Sequence, residues 1–344
     1  MSSKLRQTIL KAVSSKGEAR TSDIARKTGL SRTYVHRLLQ QMENEGTLRL
    51  VGKANQARYV YADEASLDRA LSSQLSFHSV LPNEHLEEDR VLARIRAETG
   101  IFHGMRENVA RIVDYGFSEM LNNAIEHSES AMVDVRMARS PSRITFTVVD
   151  RGIGILRNIM RTRNLGSEQE AIQDLLKGKQ TTMPDRHSGE GIFFTSRVAD
   201  GFTIRSSDKK ILFDNLIPDV FFRTVRQTKG TRVDFWIALD SPRQLTDVFR
   251  EFAGEQMTFD RTRVSIALYS AEPGYVSRSQ ARRLLSGLES FREIVLDFAR
   301  VKLVGQAFAD EIFRVWKTHY PGITIRVENA SPEVQAMLSH VGQR

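Results

Sequence analysis

Three polar side chains recur at four-residue steps within residues 117–128, namely Glu119, Asn123 and His127. This stretch lacks Pro and Gly, and its apolar residues recur at three- and four-residue steps, which predicts a helix. The three polar side chains then lie above one another on one face. Such a face suits a hydrated Mg²⁺, which needs only one or two protein oxygens, so Asn123 is the candidate metal ligand. The alternative is a surface helix whose polar side faces solvent.

A glycine-containing turn follows the predicted helix. Asp150 comes directly after an alternating segment, residues 143–149, and is followed by Gly152 and Gly154. A carboxylate at the end of a strand can accept a hydrogen bond from an exocyclic amine, while the two glycines let the backbone approach a ring. The pattern is also typical of ordinary strand-to-loop turns.

Two further glycine turns follow along the chain. Gly189 and Gly191 stand just before an apolar run, which places backbone N–H groups at a helix start and predicts an anion site over residues 189–192. The last turn, Gly230 and Thr231, leads into an alternating strand. The helix and the three turns therefore supply parts that suit a ring with an exocyclic amine, a metal and an anion.

In this order the four motifs resemble the GHKL ATPase superfamily, which includes gyrase, MutL, histidine kinases and anti-sigma-factor kinases. The resemblance covers residues 86–239, and it implies a Bergerat-type α/β sandwich that binds ATP and Mg²⁺. The matching positions are Glu119, Asn123 and Ala124 for the N-box, Asp150, Gly152 and Gly154 for the D-x-G-x-G box, Gly189 and Gly191 for the G-x-G box, and Gly230 and Thr231 for the final Gly-Thr.

The resemblance also implies a role for each part. Asn123 would bind Mg²⁺, and Asp150 would receive the adenine amino group with help from Thr231 through a water. The backbone of residues 189–192, which includes Glu190 and Ile192, would cradle the phosphates.

Residues 156–188 would form the ATP lid of such a domain. Its basic residues Lys179, Arg186 or His187 would neutralise charge on the γ-phosphate as the lid closes. Lys179 is our choice among them, because the run Lys177-Gly178-Lys179 offers basic side chains to a phosphate.

The resemblance leaves two roles open for Glu119. In hydrolysing members the glutamate at this position is the general base for the attacking water. The N-box here most resembles that of anti-sigma-factor kinases, in which Glu119 would instead deprotonate a protein serine. No histidine stands in a phosphoacceptor context, so we do not expect a two-component histidine kinase. No transducer domain with a gyrase-type lysine is recognisable, which leaves the lid to supply the phosphate sensor.

The composition fits a soluble protein of two or three domains. The chain has 344 residues, 40% of them hydrophobic and 27% charged. No apolar run approaches the roughly 20 residues of a membrane span, and the N-terminus does not read as a secretory signal. The absence of cysteine excludes disulfides, zinc–thiolate sites and cysteine nucleophiles. We therefore expect a cytoplasmic protein with no membrane partner.

The positive charge is concentrated at the start of the chain. Residues 1–62 hold twelve Lys and Arg against four Asp and Glu, an excess of eight that equals the net charge of +8 of the whole chain. A basic excess confined to one module indicates a polyanionic partner.

The same module reads as helix, helix, helix and hairpin, and it resembles a winged helix-turn-helix domain. The resemblance implies that the third helix enters the major groove of double-stranded DNA and that the wing touches phosphates. The implied contacts are Arg32, Tyr34, His36 and Arg37 on the helix, and Lys53 and Arg58 on the wing. A winged helix used for protein contacts is the alternative.

Residues 63–85 read as a linker with one short strand, and residues 255–344 alternate strand and helix, which predicts a small α/β domain. The run over residues 294–316 resembles the STAS fold of anti-sigma-factor antagonists. The phosphoacceptor Ser or Thr of that fold is missing around residues 304–307, so we interpret the segment as a docking or sensing module for a protein partner. The alternative is a domain that only completes the fold.

The predicted fold class is α+β with several domains: a winged helix (1–62), a linker (63–85), a GHKL-type α/β sandwich (86–240, lid 156–188) and a STAS-like α/β domain (255–344). The leading hypothesis is a DNA-binding regulator in which Mg-ATP controls DNA binding or partner contacts, with slow hydrolysis through Glu119. We expect a homodimer, because readers of half-sites usually work as two-fold pairs. The alternatives are a DNA-tethered protein serine kinase of anti-sigma type and a nucleotide sensor without turnover.

Overall fold

The computed structural model describes residues 3–52, 57–178, 190–217, 219–252, 260–266 and 275–342. Within these ranges the strands form three sheets, one in each of an N-terminal module (3–61), a central module (76–239) and a C-terminal module (261–342). No helix in the described ranges has the length and apolar character needed to cross a membrane.

The N-terminal module consists of three helices and a two-stranded antiparallel hairpin. Its elements are α1 (Ser3–Lys16), α2 (Thr21–Thr28), α3 (Arg32–Asn44), β1 (Leu48–Val51) and β2 (Arg58–Tyr61). Gly29 ends α2 in the left-handed conformation (φ 71°), and the Ser31 hydroxyl caps α3 by accepting from the Tyr34 N–H at 3.2 Å. The apolar stripe of α3 is buried in a core that belongs to this module alone.

The segment between the first two modules is not a linker, which corrects the prediction for residues 63–85. It forms α4 (Glu64–Gln74) and β3 (Ser76–Pro82). α4 packs against the wing hairpin through Leu67 and Ala70, whereas β3 pairs with the next strand as the edge of the central sheet. The short strand of this segment was predicted, whereas the helix α4 was not.

The central module is a five-stranded antiparallel sheet covered by helices, with strand order β3-β4-β5-β7-β6. Its other elements are α5 (Glu88–Glu98), α6 (Glu107–His127), β4 (Met132–Arg139), β5 (Arg143–Asp150), α7 (Ile155–Arg163), α8 (Glu168–Lys177), α9 (Gly191–Val198), β6 (Gly201–Asp214) and β7 (Asp219–Ala238). Phe117 of α6 meets Phe146 of β5 edge-on at 5.6 Å, and Phe146 stacks on Phe235 of β7 at 4.5 Å. The packing of these rings fixes α6 across the sheet.

The C-terminal module is a parallel three-stranded sheet, of order β10-β9-β8, with helices packed against it. The helix α10 (Leu245–Phe252) precedes this module. The elements of the module are β8 (Arg261–Ser265), α11 (Arg278–Leu285), β9 (Glu293–Asp297), α12 (Gln306–Asp310), a π-helical segment (Glu311–Trp316), α13 (Lys317–His319), β10 (Thr324–Glu328) and α14 (Pro332–Gly342). These elements follow the predicted alternation of strand and helix, and α12 begins after Gly305 with no hydroxyl among residues 304–307.

Helix α9 of the central module also contributes to the core of the C-terminal module. Phe193 and Phe194 of α9 belong to the hydrophobic cluster of the C-terminal module, where Phe193 meets Phe252 edge-on at 4.9 Å. At the end of α8 the Lys177 ammonium donates to the carbonyls of Arg283 (3.1 Å), in the last turn of α11, and Ser286 (2.6 Å), the residue after it. The C-terminal module therefore packs on both helices that flank residues 179–189.

Candidate nucleotide site and nucleic-acid interface

Asp150 is the most enclosed polar residue among the predicted site residues. It ends β5 with 4% of its surface exposed, and its Oδ1 accepts hydrogen bonds from the N–H groups of Gly152 (2.9 Å) and Thr231 (3.2 Å). Burial raises the pKa of Asp150 above the usual carboxyl range, and these hydrogen bonds partly oppose the rise. With Oδ1 engaged, Oδ2 remains to accept from a ligand amine.

The backbone around Asp150 is packed too tightly for side chains. A Cβ at Gly152 would lie 1.7 Å from the carbonyl oxygen of Ser128, and one at Gly230 (φ 78°) would lie 2.2 Å from that of Asp150. A Cβ at Gly154 (φ 82°) would lie 2.7 Å from the Ser206 hydroxyl. These glycines are required by the close approach of neighbouring backbone and, at Gly154, of a side-chain hydroxyl.

Thr231 links the last turn to the first. Its backbone N–H reaches Asp150, and its hydroxyl accepts from the N–H of Ile155, the first residue of α7, at 2.9 Å. Ile153 donates to the Ser128 carbonyl at the end of α6 (2.8 Å). One network of hydrogen bonds thus joins the end of α6, the turn after β5 and the start of the strand segment that follows Gly230.

The other end of the site lies where α6 meets α9. A Cβ at Gly191 would lie 2.0 Å from Oε2 of Glu119, so the Glu119 carboxylate rests against the start of α9. The first N–H groups of a helix have no acceptor within it, and α9 begins at Gly191 after Glu190, whose side chain makes no capping hydrogen bond. The arrangement places a carboxylate beside a helix N-terminus that can receive phosphate oxygens.

Asn123 lies one helical turn beyond Glu119 on α6. Its amide nitrogen is buried and has no hydrogen-bond partner among the described residues. A half-turn of the amide exchanges nitrogen and oxygen, so the same position offers a donor to a phosphate or an oxygen to Mg²⁺. The residues present therefore fit a nucleotide with its metal. No cluster of three or more His, Asp or Glu side chains that could hold a metal occurs in the described part of the chain.

Tyr115 joins this end of the site and was not foreseen from the sequence. Burial raises the pKa of its phenol, and the nearby carboxylates of Glu119 and Glu190 raise it further. Its ring meets Phe249 of α10 edge-on at 5.5 Å. Because Tyr115 precedes Glu119 by four residues, the helical spacing held the signal. Lys179, Gly189, Arg186 and His187 lie outside the described residues.

The second predicted surface lies on α3, where the four chosen side chains are all exposed: Arg32, Tyr34, His36 and Arg37. They lie opposite a buried stripe of the same helix, so the polar face is open to a partner. Lys53 of the wing lies outside the described residues. Arg58 requires a correction, because it is 7% exposed and its guanidinium pairs with Glu18 at 2.9 Å, which leaves it no free charge for a phosphate.

Family models match three parts of the chain. Residues 8–52 match the IclR helix-turn-helix domain, residues 83–212 the histidine kinase-like ATPase domain, and residues 280–335 a STAS-like domain of unknown function (DUF4325). The chain joins these three domains in this order. The resemblances inferred from the motifs, and the α+β fold class with its order of domains, are thereby confirmed. A comparison with curated proteins found no match.

Proposed function

We propose that this protein is a DNA-binding regulator whose histidine kinase-like domain binds Mg-ATP and thereby controls DNA binding. The observation that carries the proposal is Asp150, a buried carboxylate fixed by two backbone N–H groups and walled by glycines that lie against neighbouring backbone or side-chain atoms. In this proposal Asp150 accepts from the adenine amine, and Asn123 ligates Mg²⁺. The start of α9, Glu190 to Ile192, receives phosphate oxygens.

Magnesium would neutralise charge on the phosphates when bound. Glu119, which rests against the start of α9, would then orient a water toward the terminal phosphate and accept its proton. Hydrolysis at this site would reset the regulator. A switch of this kind requires that nucleotide favours one arrangement of the molecule through contacts absent from the other.

The fold offers a direct route from the nucleotide to the DNA. Asn83, just after β3, donates to the carbonyls of Ile125 (3.1 Å) in α6 and Ser130 (2.9 Å), and the other end of β3 follows α4, which packs on the wing. A shift of α6 on nucleotide binding would therefore move the N-terminal module. The exposed face of α3 would enter the major groove, with Arg32 and Arg37 as the charged contacts.

Titration calorimetry with Mg-ADP and Mg-ATP tests nucleotide binding. We expect Asp150→Asn to weaken binding by tenfold to a hundredfold, about 1.5–3 kcal/mol, since a charge-assisted hydrogen bond is lost. Asp134→Asn is the matched control, because Asp134 lies on the neighbouring strand β4 and pairs at the surface with Arg136. Equal affinity in all three proteins would exclude Asp150 as the adenine acceptor.

DNA binding is tested by selection of bound fragments from genomic DNA, followed by mobility shifts with and without Mg-ATP. We expect a shift whose affinity falls steeply with salt and changes on addition of nucleotide. Light scattering of the same samples tests the proposed homodimer. A shift that is indifferent to nucleotide would separate DNA binding from the switch.

Transfer of phosphate to a protein serine is the second candidate function. It is favoured by the N-box, which resembles that of anti-sigma-factor kinases, and by the fusion to a STAS-like domain. The missing hydroxyl at residues 304–307 means that any acceptor would be another protein. Incubation with labelled ATP and cell extract distinguishes the two: a labelled protein supports the kinase, and free phosphate that disappears with Glu119→Gln supports the ATPase. Nucleotide binding without either product would indicate a sensor.

A further inference from the structure

A cavity of about 450 Å³ lies between the central and C-terminal modules. Its walls come from α9, from the β6–β7 hairpin, from β8 and from the loop after β9, which contribute Arg197, Phe213, Val220, Arg263 and Arg300. None of the residues proposed to contact nucleotide or DNA lines it. The cavity is therefore separate from both sites discussed above.

Arg197 is the unusual group in this cavity. Its guanidinium carbon lies 5.0 Å from the ring centre of Phe193 and 5.5 Å from that of Phe252. Among the described residues it makes no ion pair, and its Nε is buried without a hydrogen-bond partner. Burial lowers the pKa of Arg197, although Glu251 opposes the shift. Two aromatic faces hold the cation in place but do not replace a hydrogen-bonding anion.

The other charges on the wall already have partners. Arg300 forms a two-pronged pair with Asp219 at 2.9 and 2.8 Å, which joins the two modules. Arg263 pairs with Glu328, and Asp297 accepts from the Ala299 N–H and the Asn329 amide. Among the described residues, Arg197 is therefore the arginine of this wall that makes no ion pair. Phe213, Val220 and Val264 add apolar surface beside it.

We propose that this cavity binds a small organic anion, with a carboxylate or phosphate group on Arg197 and an apolar body against the hairpin wall. Its volume lies in the usual range for small-molecule sites, about 300–1,000 Å³, which favour boundaries between domains. Arginine is the side chain whose planar donors match carboxylate and phosphate oxygens. The proposal goes beyond nucleotide and DNA binding and does not depend on either.

A ligand here would be well placed to influence nucleotide binding, a consequence that rests on the proposed function. α9 carries Gly191 at its first turn and Arg197 near its end, about 9 Å apart along the helix axis. A small shift of α9 toward a bound anion moves both ends together. Linkage then requires that nucleotide change the affinity for the anion by the same factor.

The test is titration calorimetry of the full chain without nucleotide, in chloride buffer, with inorganic phosphate, succinate and benzoate as probes. We expect at least one probe to bind, and Arg197→Met to weaken that binding at least tenfold while preserving contact with the two rings. Arg90→Met, at an exposed arginine paired with Glu87 in another part of the central module, should bind as the natural protein does. Absence of heat from all three probes, or equal binding by Arg197→Met, would overturn the proposal.

A second variant keeps the test decisive should Arg197→Met fail to fold. Ser265→Phe at the end of β8 fills the cavity while Arg197 keeps its charge. We expect Ser265→Phe to lose binding of the same probe at least tenfold while retaining a folded circular dichroism spectrum. Binding of undiminished strength would place the anion elsewhere and overturn the proposal. Because nucleotide is absent throughout, failure here leaves the proposed ATP site untouched, and the reverse also holds.

Discussion

Two helices of this molecule, α3 and α6, share one design and differ in what lies over their polar faces. Each buries an apolar stripe at helical spacing and presents polar residues on another side. On α3 the polar face, from Arg32 to Arg37, is open to solvent. On α6 the Glu119 carboxylate rests against Gly191 of α9, and the Asn123 amide nitrogen is buried.

The difference shows how the surroundings of a polar stripe decide the size of its ligand. An open, cationic helix face can be reached by a large rigid partner such as a DNA groove. An enclosed face admits a small molecule and removes water from it, which strengthens each electrostatic contact. The sequence periodicity of α3 and α6 is the same. The difference between them comes from α9, which lies against the polar face of α6, whereas the polar face of α3 is exposed.

The most severe test of the enclosed face is Gly152→Ala. The added methyl group would lie 1.7 Å from the Ser128 carbonyl oxygen, and a backbone atom cannot rotate away. We expect a loss of at least about 3 kcal/mol in the free energy of unfolding of the central module, together with loss of nucleotide binding. Urea unfolding and calorimetry measure both. The open face should survive, because α3 belongs to its own core, and binding of DNA should persist.

Gly322→Ala is the matched control, since no atom lies within 4 Å of the added methyl group. Its unfolding free energy should stay within about 0.5 kcal/mol of the natural protein. A Gly152→Ala protein with normal stability and normal nucleotide affinity would show that the turn after β5 is not the tight wall described here.

The second test concerns the contact between the central and C-terminal modules, in which Lys177 of α8 donates to two carbonyls of the C-terminal module. Burial lowers the pKa of Lys177 from 10.5 to about 8. Between these two pH values the native lysine is neutral while the unfolded one still holds its proton, so stability should rise with pH. Relative to Lys177→Met, we expect a gain of up to about 3 kcal/mol from pH 8 to 10.5. Unfolding measured across that range would contradict this if the difference between the two proteins stayed constant.

The third test addresses the open face. Replacing Arg32 and Arg37 together by Met keeps good helix formers and removes two exposed charges. We expect DNA affinity to fall by about 2 kcal/mol and the slope of log affinity against log salt to fall by about two, as measured by mobility shifts at several salt concentrations. Arg111→Met, at an exposed arginine of α6 paired with Glu107, should leave both values unchanged. An unchanged salt slope in the double variant would favour a protein partner for this face.

The smallest effect is expected for Gly191→Ala. The methyl group would meet Oε2 of Glu119, the free end of a side chain that can rotate away. Nucleotide affinity should therefore change little, while phosphate release falls by threefold to tenfold, about 1 kcal/mol, since the displaced carboxylate no longer orients water. Calorimetry and a phosphate-release assay separate the two. An equal loss in both would mean that the methyl group blocks the nucleotide itself.

Much of the fold follows from local patterns in the sequence. Helical spacing located α3 and α6 with their buried stripes, and alternation located β4 and β5. In the described residues after 260 the elements follow the predicted alternation of strand and helix. These elements were predictable because each buries one periodic face, so that sequence and environment agree.

The long hairpin β6–β7 was only partly predicted: the alternating strand after Gly230 was identified, but no element was assigned to residues 201–228. Pairing between the strands, over Gly201–Asp214 and Asp219–Ala238, holds them together. Arg58 misled for a related reason, since a basic residue on a predicted wing suggests phosphate contact, whereas Glu18 neutralises it from forty residues away. Such pairings over long sequence distances leave no local signal.

The residues of the candidate site likewise fall into those that the sequence predicts and those that it does not. Asp150, Gly152, Gly154 and Gly191 could be predicted, because they lie at the end of β5 or at the start of α7 and α9. The roles of Ser128 and Ser206 could not, since they come from contacts that only the folded chain creates: a carbonyl against Gly152 and a hydroxyl against Gly154. Tyr115 was overlooked, although its position four residues before Glu119 places both on one face of α6.

The junction between α4 and β3 has a consequence for how the DNA-binding face is aimed. One residue, Leu75, separates the helix from the strand, and backbone bonds to Gly100 (2.7 Å) and Arg139 (2.8 Å) anchor the residues Gln74 and Leu75 to the central module. This connection contains no flexible residue, so the orientation of α4 about its own axis sets the direction in which α3 points. Each residue added to or removed from α4 would turn the N-terminal module by about 100° about the helix axis.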